Sequence, residues 1–217
     1  MQTSHGRFGT AMVDAPHQFR NTRTGGSLKS GSAQKYPVLS LDELKALPIQ
    51  NIMDRNSLLL YWTPTALVPE SLEVIRAWGY TYVTSLYWIK TQKHNPDKIR
   101  TGMGYNVRGA VEECWICRKG KVPALRIQNP NVVFAPIGEH SAKPYEVYRF
   151  FEEATERLGL TPRADIFARI GRPGWEPIGN AIDGRDIRDV LATPIEEWQS
   201  VATHPTAGLC LVRDGDH

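Results

Sequence analysis

The chain has 217 residues, 41% of them hydrophobic and 23% charged, which suits one substantial core and excludes a disordered chain. No apolar run approaches the roughly 20 residues a membrane helix needs, and the polar start has no apolar secretion-signal core, so a cytoplasmic protein away from membranes is expected. Net charge is +3, but it is unevenly spread: the stretch from Asp183 to the end holds three basic and seven acidic residues, and the rest is correspondingly basic.

In chain order, Phe8 to Val13 is a short apolar run that reads as a buried strand ending at Asp14. Ala15 to Pro37 is rich in Gly, Ser, Thr and basic residues and reads as a long loop. Ser40 and Glu43 form a capping-box pattern ahead of Leu44 and Leu47, so a helix starts there. Ser57 to Trp62 is a second buried strand. Pro69 to Trp78 has helical spacing and stops at Gly79. Thr81 to Ile89 is β-branched and aromatic, hence strand. Lys90 to Val107 is expected to be a second long loop. Glu112 to Arg118 and Asn131 to Ala135 read as strands, Pro144 to Leu158 as an amphipathic helix, and Arg163 to Phe167 as a further strand. Strands alternating with helices predict an α/β fold with a mostly parallel sheet and helices on both faces. Residues 185–217 read as an acidic, partly helical, loosely packed tail.

Two loops concentrate positive charge. One carries Arg20, Arg23, Lys29 and Lys35 without an acid; the other carries Lys90, Lys93, Lys98, Arg100 and Arg108 against Asp97 alone. Such loops suit phosphate contacts, or simply solubility.

In open α/β sheets, ligands bind at the carboxyl ends of strands. The first strand leads into Asp14-Ala15-Pro16-His17. A carboxylate there, followed by a proline-stiffened turn and a planar ring, is able to hold a flat heterocycle. The carboxylate accepts a hydrogen bond from an exocyclic amine, a main-chain carbonyl accepts the other, and the ring stacks. A simple turn cap is the competing reading of Asp14. Lys143, at the start of a helix, suits a carboxylate ligand, and Arg169 and Asn180 suit ribose and carboxylate contacts. A solvated lysine and structural turn residues are the alternatives.

Cys114 and Cys117 are spaced as a CxxC. A second ligand pair is missing, and the pair lies in a strand pattern, where positions three apart face opposite ways. No metal site is expected, and Cys114 and Cys117 read as core thiols. Cys210 completes an odd set unsuited to a disulfide framework. The glycine-rich run at Gly25 lacks P-loop spacing.

Six segments together resemble the MT-A70 family of adenine-N6 methyltransferases, above all its compact bacterial and phage members. They are RFGTAMVDAPHQF, KYPVLSLDELKALPI, LLLYWTPTALVPESLEVIRAWGYTYVTSLYWIK, TGMGYNVRGAVEECWICRKGK, EHSAKPYEVYRFFEE and DIFARIGRPGWEPIGNAIDG. The resemblance implies a Rossmann-like methyltransferase domain over residues 1–184, S-adenosylmethionine as cofactor, and a nucleic-acid substrate, DNA ahead of RNA. It also allows a homo- or heterodimer. The family's Asp-Pro-Pro-Trp motif falls on Asp14, Ala15, Pro16 and His17. That assigns Asp14 and the following carbonyls to the amine, with His17 in the stacking position. Lys143, Phe167, Arg169 and Asn180, with Asp14, are assigned to the cofactor, and Glu112 to the base pocket. Arg20, Arg23, Lys29, Lys93 and Arg100 are candidates for phosphate contacts.

The sequence departs from that pattern at Ala15, at His17 and at Ala181, where a glutamine usually stands. These departures keep open a non-catalytic, nucleic-acid-binding subunit of the same family, or a different methyl acceptor.

Overall fold

The structure is a computed structural model and describes residues 8–18, 38–103, 106–138 and 142–193. Its centre is one sheet of eight strands: β1 (Phe8–Val13), β2 (Met53–Thr63), β3 (Thr81–Gln92), β4 (Asn95–Ile99), β5 (Val111–Lys119), β6 (Val132–Pro136), β7 (Arg163–Ile166) and β8 (Glu176–Ile178). The helices are α1 (Leu41–Ala46), α2 (Val68–Ala77), α3 (Tyr145–Arg157), α4 (Asn180–Asp183) and α5 (Ile187–Ala192).

Strand order is β4-β3-β5-β2-β1-β7-β8, with β6 also paired to β3. β1 lies at the heart of the parallel half, between β2 and β7, and every one of its residues is buried, which explains its continuous apolar run. The sheet as a whole is mixed, not mostly parallel. β5 runs antiparallel between β2 and β3, and β4 runs antiparallel to β3. The reason is the connections. Among the described residues no helix separates β3, β4 and β5, and an antiparallel neighbour needs only a turn, whereas β6, after a longer connection, returns parallel to β3.

The pleat sorts side chains onto two cores. Ala11, Val13, Leu59 and Tyr61 face α1, α2 and α5, joining Leu44, Val74, Ile75, Val190 and Leu191. Met12, Leu58, Leu60 and Trp62 face α3, joining Val147, Tyr148 and Phe151. Cys117 belongs to the first core and Cys114 to the second, both as free buried thiols, which is the opposition their spacing implies.

Local signals act as expected at α1, where Ser40 and Glu43 close a reciprocal capping box. Elsewhere the structure differs. The expected basic loop after Ile89 is partly a hairpin: β3 continues to Gln92, turns at Lys93–His94, and returns as β4. The chain beyond Gly184 is also partly integrated, since α5 buries Ile187, Val190 and Leu191 and Asn51 Nδ2 donates to Leu191 O at 3.3 Å. Among the described residues no helix is long and apolar enough to cross a membrane.

Candidate active site

Parallel pairing brings the carboxyl ends of β1, β2 and β7 level. Val13 stands opposite Tyr61 on one side and Ile166 on the other. The residues leaving β1 and β7 therefore emerge together: Asp14 from one, and Phe167, Ala168 and Arg169 from the other. Phe167 has φ +65°, an uncommon backbone for a residue with a side chain. That turn lays Phe167 along the wall of a cavity.

The cavity opens to solvent and is lined by Asp14, Pro16, Leu39, Phe167, Arg169 and Asn180 on one part of its wall. Asp186, Ile187 and Arg188 at the start of α5 complete it. A smaller recess shares Asp14, Phe167, Ala168 and Arg169 and adds Lys143, Asp165 and Arg172. Gly179 precedes Asn180 where a side chain would stand 2.9 Å from the Ala168 carbonyl oxygen. Only glycine lets the two walls approach so closely.

Asp14 lies in a chain of charges. Lys143 Nζ is 2.9 Å from Asp14 Oδ1 and 3.1 Å from Glu112 Oε2, and Lys90 Nζ is 2.7 Å from Glu112 Oε1. Arg169 Nη2 is 3.8 Å from Asp14 Oδ2. The Lys143 ammonium also lies 5.2 Å from the centre of the Trp62 ring, within cation–π range. Burial pushes the Lys143 ammonium down, but the carboxylates of Asp14 and Glu112 outweigh it, so the group titrates above its ordinary value. Burial pushes Glu112 up, and Lys143 and Lys90 outweigh that, holding it below its ordinary value.

Lys143 is held from behind. Arg172 Nη2 donates to the Lys143 main-chain oxygen at 2.7 Å, and its Nη1 donates to Asp165 Oδ2 at 3.0 Å. The guanidinium rests 4.1 Å above the Tyr148 ring, while the Tyr148 hydroxyl donates to the same Asp165 oxygen.

The structure thus brings together Asp14, Ala15, Pro16, Lys143, Phe167, Arg169, Asn180 and Glu112. His17 is placed otherwise than a stacking residue would be. It is only 5% exposed, and its Nε2 lies 2.7 Å from the Tyr61 hydroxyl in a hydrogen bond. The carbonyls after Asp14 also have partners: Ala15 O accepts from His17 N and Pro16 O accepts from Leu39 N, each at 2.9 Å. A carbonyl has two lone pairs, so each retains capacity for one more donor. Lys93 and Arg100 are exposed on the β3–β4 hairpin, and Arg20, Arg23 and Lys29 lie outside the described residues. Among the described residues no three His, Cys, Asp or Glu side chains converge as a metal site.

Sequence reasoning missed Lys90 as a partner of Glu112, Arg172 as the support of Lys143, and Asp186, Ile187 and Arg188 as cavity wall. Lys90 counted only as a positive charge. Asp186 carried a legible signal, since it caps α5 by accepting from Arg188 N, but nothing in the sequence tells where so short a helix docks.

Fold and site define an α/β protein with a ligand cavity at the carboxyl edge of its sheet and a carboxylate, Asp14, on the cavity wall. The chain belongs to the MT-A70 family, whose model matches residues 8–181. It is 27% identical over 182 residues to "Probable N(6)-adenosine-methyltransferase MT-A70-like" of Oryza sativa subsp. japonica, covering 82% of this chain and 24% of that protein. It is 28% identical over 170 residues to "Type II methyltransferase M.MunI" of Mycoplasma sp, covering 77% and 69%. It is 27% identical over 188 residues to "N(6)-adenosine-methyltransferase catalytic subunit METTL3" of Homo sapiens, covering 85% and 30%. The chain thus spans less than a third of the length of the plant and human relatives.

Proposed function

We propose that this protein is an S-adenosylmethionine-dependent methyltransferase acting on the N6 amine of adenine in nucleic acid, DNA ahead of RNA. The observation that carries the reading is the position of Asp14: its carboxylate lies on the wall shared by the large cavity and the smaller recess. Family membership and the names of the relatives support the same chemistry. The preference for DNA rests on the resemblance to compact bacterial and phage members.

The cavity suits the cofactor in kind. It combines apolar wall (Leu39, Phe167, Ile187) with a few polar groups, as small-molecule sites do. Phe167, Arg169 and Asn180 would hold it, with Lys143 or Arg169 toward its carboxylate. When bound, S-adenosylmethionine supplies a sulfonium-activated methyl group. The work of the chain is then orientation. Asp14 and the Ala15 carbonyl accept the two N–H groups of the adenine amine, which directs the nitrogen lone pair toward the incoming carbon. Glu112, clamped between two ammonium groups, lines the acceptor side. Lys93 and Arg100, with Arg20, Arg23 and Lys29, would contact phosphates.

Incubation with labelled S-adenosylmethionine and matched DNA and RNA strands tests this. Label on adenine N6, abolished by Asp14→Ala, is expected, with more on DNA. Cofactor binding without transfer to any nucleic acid would overturn it. A second reading, a nucleic-acid-binding subunit that transfers no methyl, is favoured by the ion pair that already engages Asp14. Calorimetry separates the two, since that subunit need not bind the cofactor at all.

A further inference from the structure

Tyr61 is related to both ends of the Asp14–Pro16 turn. Its backbone lies directly across the β1–β2 ladder from Val13, the residue before Asp14. Its hydroxyl reaches His17 Nε2 at 2.7 Å, on the far side of the turn. The segment that presents Asp14 is therefore closed at both ends against one fully buried residue.

The other contacts point the same way. The His17 and Tyr61 rings meet edge to face at 89°, with centroids 6.0 Å apart, and Tyr61 meets Trp78 similarly at 5.8 Å. Trp78 in turn donates its indole N–H to Leu44 O at 2.9 Å. On the main chain, Leu39 N donates to Pro16 O and Gln18 N to Leu39 O, so a second strap crosses the turn. A ring enclosed in this way has no open face to offer a base. Ala15 lacks the ring that would stiffen the turn covalently, and a buried hydrogen bond one step further on supplies restraint from outside.

We infer that His17 and Tyr61 form a positioning pair, in which His17 acts through Asp14 by holding the turn against β2 instead of stacking on the methyl acceptor. The inference rests on the methyltransferase reading for its kinetic consequence, but the pair itself is a matter of local order. Tyr61 and His17 are positioning residues, not catalytic ones: neither lines the cavity.

Three variants of the full chain separate positioning from stacking. Tyr61→Phe removes only the hydroxyl. His17→Gln keeps a hydrogen-bonding group near the place of Nε2. His17→Phe keeps a planar ring and removes the bond. Positioning predicts that Tyr61→Phe and His17→Phe lower kcat about tenfold or more with little change in cofactor KM, because small misplacements of a reacting group are costly. His17→Gln retains most activity. If stacking were the role, His17→Phe would be active, His17→Gln would fail, and Tyr61→Phe would be silent; that pattern overturns the inference.

Hydrogen exchange at the amides of Asp14, Ala15, His17 and Gln18 gives a readout independent of transfer. Faster exchange in Tyr61→Phe, with an unchanged rate in α3, is expected. Should the wild type transfer no methyl while Tyr61→Phe shows this exchange response, the pair stands and the enzymatic reading falls. Should transfer be robust and Tyr61→Phe alter neither kcat nor exchange, the pair falls alone.

Discussion

The Lys143 ammonium lies between the carboxylates of Asp14 and Glu112, at 2.9 and 3.1 Å, joining the loop after β1 to the loop before α3. Lys143 is 11% exposed and its two partners 23% and 32%, so the cluster is shielded but still solvated. Replacing Lys143 with Met should cost about 1–3 kcal/mol, at the lower end of what breaking a buried pair costs. Urea denaturation reads that loss. Asp14→Asn keeps the shape and removes the charge, so it should leave the fold intact and lower methyl transfer about a hundredfold or more.

The same cluster sets an acid limb of stability. Glu112 titrates below its ordinary 4.5 in the fold, because Lys143 and Lys90 outweigh the opposing effect of burial. Its contribution is therefore fully present above that value and lost as pH falls through the folded one. His17 is depressed below its ordinary 6.5 by burial, against the raising effect of the Asp14 and Glu70 charges that face it. The unfolded chain binds the proton first, so stability falls as pH drops below 6.5. Plots of unfolding free energy against pH should flatten below 6.5 in His17→Gln and below 4.5 in Glu112→Gln.

Arg172 and Asp165 should respond unequally to substitution. Burial pushes the Asp165 carboxyl up to about 7 against the pull of Arg172 and Tyr148, so its neutral form is already accessible in the fold. Stability from this group is present below its unfolded value of 3.8 and lost as pH rises through 7. Asp165→Asn keeps an oxygen for its neighbours and should change stability at pH 7 by no more than about 1 kcal/mol. Arg172→Ala leaves the Asp165 carboxyl without its cation and takes the donor from the Lys143 carbonyl, and should cost about 3 kcal/mol. Thermal melts of the two variants at pH 7 decide the order.

The segment after Gly184 should matter for both folding and ligand binding. Leu191 is fully buried, and Leu191→Ala should destabilise by about 2–4 kcal/mol. A chain ending at Gly184 loses Asp186, Ile187 and Arg188 from the cavity wall. Its affinity for S-adenosylhomocysteine, measured by calorimetry, should fall about tenfold or more, in line with loss of packed ligand contacts.

Most of the longer elements were legible because their signals are local. The run from Phe8, the capping box at Ser40 and the amphipathic spacing from Tyr145 each report on burial or capping within a few residues. The sheet's mixed character was not legible in the same way. A strand pattern shows that a segment is half-buried or buried, but it does not say which neighbour it joins or in which direction. β8 and α4 were missed because three or four residues are too few to show a period.

At the site, the amino-acid order alone placed Asp14 at the end of β1 and Arg169 just beyond β7, and the pairing of those two strands brought them to one sheet edge. Only the tertiary structure decided that His17 turns inward to Tyr61, that Lys90 and Lys143 share Glu112, and that α5 closes the cavity. The reason is physical: strand ends are ordered by short-range patterning, whereas a side chain's direction depends on which distant group offers the better hydrogen bond or the deeper burial.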